Sequence, residues 1–282
     1  IKWKCKCGTS WPPFSLIFAI ALYPFPFFDE IFNFFASSYH YDEGLRYQVF
    51  RPALTLYFRT DNFRLNKRHL LGIYYFYVNR EKSKHSNSNP NYKLINLRYL
   101  YSNPGAIKHF TFDSNFQFSQ KFTKMEFEFD IRRLLPNGSQ ISARFFIGKF
   151  LNHNSKQTKF FDFNLNRPQD YLFRYNYFGR SEDKGFYSQQ IVMAEGGFKS
   201  MHSIATANDY LFSANITLGI WKWIEAYSDI GSLKNRGEKV YTYFGSGIRF
   251  NIIPDYLELY FPFILSLIHI SEPTRLLSIA YA

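Results

Sequence analysis

The residue types that could do chemistry in this chain of 282 residues are few and widely spaced. The densest set is "KMEFEFDIRR", where Glu126, Glu128 and Asp130 recur at every second position, followed by Arg132. On a strand that spacing puts all four charges on one face, where carboxylates can hold a cation, line a wet interior or pair with neighbouring strands. "AEGGFKS" sets Glu195 and Lys199 around a Gly-Gly pair, with no partner defined by the sequence. His202 and Ser203 are adjacent and could be imagined in a barrel hydrolase with Ser and His on its wall, although a loop histidine beside a serine is more often incidental. The other histidines outside the C-terminal tail, His40, His69, His85, His109 and His153, form no pair at ligand spacing. Cys5 and Cys7 make a C-x-C without the second cluster that a zinc site needs, and their closeness strains a mutual disulfide. "FGSGIRF" places Gly245 and Gly247 inside a strand pattern, where glycine relieves crowding more often than it cradles phosphate. H-E-x-x-H, G-x-S-x-G, Walker and G-x-G-x-x-G signatures are absent. No catalytic, metal or cofactor-binding residue is assigned, and no cofactor is expected.

The elements that carry these residues alternate with a period of two. In "HFTFDSNFQFSQKF", Phe110, Phe112, Phe116, Phe118 and Phe122 share one parity, while Thr111, Asp113, Asn115, Gln117 and Lys121 share the other. Met125, Phe127, Phe129 and Ile131 then alternate with the acidic ladder, and Ile141, Ala143, Phe145, Ile147 and Leu151 return after Pro136-Asn137-Gly138. Pro supplies a fixed φ and Asn-Gly tolerates positive φ, so the two runs are expected as a long hairpin. Further strands are expected in "NYKLINLRYLY", "DYLFRYNYFG", "DYLFSANITLGI", "WKWIEAYSDIG" and "VYTYFGSGIRFNI", giving roughly ten to twelve. Phe25 to Gly44 carries Ile31, Phe34 and Phe35 on one helical stripe, so a short helix or an irregular segment is expected there.

Composition narrows the class. Aromatic residues make up 21% of the chain and hydrophobic ones 46%, yet mean hydropathy is negative, so apolar and polar residues must interleave finely. No run approaches the roughly 20 apolar residues of a spanning helix. Phe14 to Tyr23 is about half that length and, behind Lys2, Lys4 and Lys6, allows a signal-peptide reading beside the plainer one of a strand or buried segment. The net charge of +12 suits anionic surroundings such as lipid or lipopolysaccharide phosphates. The cations are dispersed without a basic helix, so no nucleic-acid partner is expected. Strands of roughly ten to fourteen residues exceed the usual five or six. With Tyr and Trp at their ends, they fit an all-β, antiparallel up-and-down transmembrane β-barrel, complete or incomplete, in the outer membrane. A secreted, soluble β-rich protein that stacks glycans on exposed Tyr and Trp is the alternative.

"DYLFRYNYFGRSEDKGFYSQQ", "AEGGFKS", "GIWKWIEAYSDIG" and "NIIPDYLELYFPF" resemble the C-terminal, barrel-like region of large envelope proteins that carry an upstream gluzincin-type zinc aminopeptidase. The resemblance runs from about Tyr39 to Phe263. It implies an outer-membrane location, an upstream domain and a non-catalytic role as anchor or gate; none of that family's metal ligands maps onto this chain. Separately, Leu265 to Arg275, "LSLIHISEPTR", resembles an in-frame translation of a transposase-type sequencing adapter. The expected organisation is an apolar or irregular segment at 1–38, a barrel region at 39–264 and a non-native tail at 265–282. Because residue 1 is Ile, a longer parent protein is expected. The basic stretch Arg80 to Lys84 is expected to meet lipopolysaccharide phosphates.

Overall fold

The computed structural model describes residues 20–21, 28–41, 45–58, 67–80, 91–153, 161–166, 169, 171–172, 193–200, 202, 204–253 and 257–268. They form an all-β chain in which each long strand pairs antiparallel with the next. The strands are β1 (Ile20–Ala21), β2 (Phe28–Tyr41), β3 (Leu45–Phe58), β4 (Arg68–Arg80), β5 (Tyr92–Pro104), β6 (Lys108–Ser119), β7 (Phe122–Leu134), β8 (Gln140–His153), β9 (Phe163–Asn164), β10 (Thr206–Ala207), β11 (Tyr210–Trp221), β12 (Ile224–Lys234), β13 (Val240–Ile253) and β14 (Leu257–Ile268). Twelve of them make one sheet in the order β1-β2-β3-β4-β5-β6-β7-β8-β11-β12-β13-β14, while β9 and β10 pair only with each other.

The expected hairpin is β7 and β8, paired from Phe122↔His153 to Leu134↔Gln140 with one register shift between Thr123 and Lys124. Its turn closes through Leu135 N–H to Ser139 O at 2.8 Å and Gly138 N–H to Leu135 O at 3.0 Å. Gly138 sits at φ +81°, which a residue with a Cβ rarely adopts.

Three expectations change. Phe28–Tyr41, inside the segment expected as helical or irregular, is β2 and pairs along its whole length with β3. Its Phe, Ile and Tyr residues suit a pleated surface, and the neighbouring strand decides between the two periods. Phe122 does not continue the parity of Phe118: a two-residue turn at Gln120-Lys121 reverses the chain and sends Phe122 to the opposite face. "DYLFRYNYFG" is not a strand at its start, where Tyr171 and Leu172 form a buried turn; 173–180 lie outside the described residues. In the tail, β14 continues to Ile268, so Leu265 to Ile268 pair with Gly245 to Thr242 of β13.

The two faces of the sheet are chemically opposite. Cross-strand register aligns Phe127 of β7 with Ile147 of β8, and Ile147 with Phe212 of β11. This face stays open: Ile147, Ile216 and Ile230 are 44–45% exposed. The opposite face carries Asn96, Asn115, Gln117, Lys124, Glu126, Asn215, Glu225 and Asp229, all buried. A soluble sheet does the reverse, since burying apolar groups is what drives its folding.

The polar face is covered in part by the connection between β8 and β11. Phe161, Phe163, Leu165, Tyr171, Leu172 and Phe198 of that connection join Phe76, Val78, Leu94, Phe122, Phe150, Leu211, Leu233 and Tyr243 of the sheet in one apolar cluster. These wall residues lie toward one end of their strands, the far end, where β6 turns into β7 and β12 into β13. Toward the near end, where β7 turns into β8 and β11 into β12, the same face becomes polar. The core is therefore a collar at the far end, with an inserted segment seated in it.

Candidate functional site

The chemistry of this molecule gathers where the described parts of the β8–β11 connection, 161–166, 171–172, 193–200 and 204–207, meet the polar face; together they are the inserted segment. Lys124 of β7 has no accessible surface. Its Nζ pairs with Glu126 Oε1 at 3.0 Å, donates to the Phe161 carbonyl at 3.1 Å, and lies 4.4 Å and 4.7 Å from the Phe163 and Tyr171 ring centres. A buried ammonium needs this saturation, because an unpaired one costs several kcal/mol, on the order of 3 to 5 when a partner is removed. The Tyr171 hydroxyl donates to Gln117 Oε1 at 2.7 Å, and Gln117 Nε2 donates to Glu126 Oε1 at 3.1 Å. Tyr92 OH donates to the Tyr171 carbonyl at 2.5 Å, tying the segment to β5.

A second junction is built on "AEGGFKS". Arg144 of β8 donates through Nε to Glu128 Oε1 at 2.7 Å and through Nη1 to the Glu195 carbonyl at 2.9 Å. Asn215 of β11 donates to the Gly196 carbonyl at 3.3 Å and to Asp229 Oδ1 at 2.9 Å. Gly197, at φ +67°, passes so close to the wall that a Cβ there would meet Asn215 Oδ1 at 2.4 Å. Lys199 Nζ then reaches Asp229 Oδ1 at 3.1 Å and the Gly197 carbonyl at 2.6 Å. Burial pulls the Lys199 ammonium below its ordinary pKa, against the opposing pull of Asp229. Glu195 Oε2 accepts from Asn164 N–H at 3.1 Å. Desolvation raises its pKa to about 7, Lys124 opposing this and Glu126 adding to it.

The rest of the polar face is paired strand to strand. Arg98 of β5 grips Asp113 of β6 with Nε at 3.0 Å from both carboxylate oxygens. Arg249 of β13 bridges Glu225 of β12 and Glu258 of β14, with the Tyr260 hydroxyl bonded to Glu258. The acidic ladder is thus split between Lys124 and Arg144, and Asp130 faces Arg132 at 3.7 Å. Among the described residues, no three His, Cys, Asp or Glu side chains are grouped to hold a metal ion.

The remaining candidates disperse. His202 lies 3.3 Å from Ser200 Oγ and against the Tyr243 ring at 4.5 Å, and burial lowers its pKa to about 4. Ser203 lies outside the described residues, as do Cys5, Cys7, His85 and the 81–90 stretch. His69 shares a hydrogen bond with Tyr99 and His109 with Thr111, each at 3.0 Å, so both serve the sheet. A Cβ at Gly247 would meet the Phe261 carbonyl at 2.1 Å, in keeping with a crowding role for that glycine.

Sequence reasoning missed the inserted segment itself. One signal was present: Phe145 and Phe146 are consecutive, and Phe122, Phe150, Leu211 and Leu233 are apolar on the polar parity, which calls for an apolar cover at that end of the strands. Compared with known proteins, the chain matches no family model and no curated protein.

Proposed function

We propose that this chain is a non-catalytic β-barrel region of the outer membrane that anchors or gates a larger envelope protein. The observation that carries the reading is the inverted partition of the sheet: Gln117, Lys124 and Asp229 are essentially inaccessible while Ile147, Ile216 and Leu218 are 44–45% exposed. Leaving such a face in water forfeits about 25 cal/mol for every Å² of apolar surface, whereas lipid accepts it. Strands of 11 to 14 residues would reach roughly 30 Å across when tilted by about 40° at ~3.4 Å per residue, the depth of a bilayer core. Ile220, Trp221 and Trp223 are 62–70% exposed at the β11–β12 turn, a place suited to rings and aliphatic groups at a membrane border.

Closure of the sheet into a barrel is part of the proposal. Supporting it, one apolar cluster joins Val49 of β3 to Tyr243 of β13, and the burial of the pairs Lys124–Glu126, Lys199–Asp229 and Arg249–Glu225 requires something opposite them. The resemblance stated above supports an upstream zinc peptidase as the anchored domain, and the net charge of +12 supports lipopolysaccharide and anionic lipid as neighbours. A soluble glycan-stacking protein fits less well, because it would leave Ile147, Ile216, Leu218 and Ile230 as well as the rings of this face open to water along several strands.

The test is expression of the full chain in a Gram-negative host, followed by carbonate washing and gel mobility before and after boiling. The expected result is envelope retention with a heat-dependent mobility shift. Release by carbonate as a monodisperse soluble protein would overturn the proposal.

A further inference from the structure

The open face carries a basic pair at its near end. Lys108 begins β6, Arg133 lies at the end of β7, and the two stand directly opposite in register. Both share the parity of Phe110, Phe112, Phe129 and Ile131, and both are exposed. Leu134 N–H donates to the Ile107 carbonyl at 2.9 Å. The pair Ile107–Leu134 is therefore the hydrogen-bonded one, and Lys108–Arg133 is of the other kind, with Cβ atoms only about 4.5–5.5 Å apart. Like charges so placed repel. Among the described residues neither side chain meets an acid: Asp130, near this end of β7, faces Arg132 on the covered side, and no ion pair or hydrogen bond engages Lys108 or Arg133. The far end of the same face is arranged otherwise, since Lys149 and Lys234 flank Asp209 at 2.7 and 3.9 Å. Inward from the basic pair runs a band of rings, with Tyr101 against His69 at 4.6 Å and Phe110 at 5.8 Å, and Phe112 against Phe129 at 4.7 Å. Outward lie Ile107 and Leu134, both exposed. Rings at a bilayer border with cations two residues, or roughly 7 Å, farther out reproduce the depth order of acyl chain and phosphate.

We infer that Lys108 and Arg133 hold the phosphate of an anionic glycerophospholipid whose acyl chains lie along the rings of β5, β6 and β7. The inference rests on the barrel reading above. A phosphate diester offers two free oxygens, which accept from the guanidinium fork and the ammonium together and cancel the repulsion between them. The strand connections favour a phospholipid over lipopolysaccharide. Those at the near end are 59–67, 105–107, 135–139, 222–223 and 254–256, whereas the far end carries 81–91 and 154–209. Barrels of the outer membrane turn briefly on the periplasmic side and extend their long connections outward. The near end then meets the periplasmic leaflet, which is built of glycerophospholipid.

The experiment is native mass spectrometry of the full chain in detergent, titrated with phosphatidylglycerol or phosphatidylcholine. Wild type is compared with the double variant Lys108→Gln, Arg133→Gln and with Lys93→Gln, which removes an exposed cation at the far end of the same face. Wild type should bind its first phosphatidylglycerol roughly 25-fold tighter than phosphatidylcholine, each cation near an anionic surface contributing about a factor of five. The double variant should lose that preference while its phosphatidylcholine binding is unchanged, and Lys93→Gln should keep it. In unaltered protein, phosphatidylglycerol vesicles should slow acylation of Lys108 by a water-soluble reagent more than phosphatidylcholine vesicles do, which keeps the test independent of variant folding. Equal binding of the two lipids by wild type, a preference that survives the double substitution, or Lys108 equally reactive in both vesicles would overturn the site alone. Displacement of the lipid by an equal concentration of inorganic phosphate, or tighter binding of lipopolysaccharide at this pair, would overturn its assignment to a phospholipid. Failure of wild type to insert into any bilayer would overturn the barrel reading, and the site with it.

Discussion

Replacing Ile147 by Lys separates a lipid-facing sheet from a water-facing one by the size of its cost. Ile147 lies midway along β8, 44% exposed, between Phe127 of β7 and Phe212 of β11. In water such a site is a surface position, and the substitution should change stability by no more than about 0.5 kcal/mol. In a bilayer, a lysine near the midplane of a barrel wall costs about 2–4 kcal/mol, eased only as far as its stem can carry the ammonium toward the border. That is a change of roughly 30-fold to several hundredfold in the folding equilibrium. The assay is denaturant unfolding of the full chain in phosphatidylcholine vesicles, followed by tryptophan fluorescence. A cost under about 0.5 kcal/mol, or a gain, would refute the inverted-sheet reasoning. The same contrast applies one strand away: Phe127→Lys, whose ring lies 5.6 Å from Phe116 and 6.4 Å from Phe112, should impair membrane assembly far more than Glu128→Lys, and equal impairment would count against the assignment of faces.

The inserted segment supplies further expectations. Gly148→Ala would bring a Cβ to 2.6 Å from two atoms of the fully buried Phe163 ring; overpacking of this kind costs about 1–3 kcal/mol and should appear as faster tryptic cutting of the segment. Lys124→Met removes the ammonium shared by Glu126 and the Phe161 carbonyl, and should lower the midpoint of unfolding by an amount equivalent to roughly 3 kcal/mol, with no loss if the ring cage alone holds the segment. Glu195 carries a pKa raised to about 7, so the seated segment binds its proton more tightly than a solvated glutamate does. Retention is then strongest below about pH 4.5 and weakens as pH rises toward about 7, by at most about 3 kcal/mol. Tryptic cutting should accelerate between pH about 5 and about 8 in wild type, after correction for the enzyme's own profile, and Glu195→Gln should abolish that difference; an unchanged difference would place the titration elsewhere.

Much of the sheet was legible because parity is a one-dimensional property. Met125 to Ile131 and Ile141 to Leu151 declare their faces by alternation alone, and Pro136-Asn137-Gly138 declares the reversal between them. The split of the acidic ladder between Lys124 and Arg144 was not legible, since it depends on cross-strand register. Tyr171 misleads for a related reason: an aromatic residue that fills a collar can sit in an alternating run as one on a strand does, and only the partner surface distinguishes them. Phe122 misled because a two-residue turn changes parity without any Gly or Pro to mark it. β2 invites the wrong period because its Phe and Ile residues satisfy a helical stripe as well as a pleated one, and pairing with β3 resolves the ambiguity. "AEGGFKS" stood out for its composition, yet its partners Arg144, Asn215 and Asp229 come from three different strands.

The most direct test of the inverted sheet is a scan of single cysteines along β8, each labelled with a small fluorophore in reconstituted protein and exposed to lipids bearing a quencher on the acyl chain. Ala143, Phe145 and Ile147 are on the open face, and Ser142, Arg144 and Phe146 on the covered one. Strong quenching at the first three positions with protection at the second three is the expected result. Uniform protection along the strand, or quenching that ignores the alternation, would contradict the account.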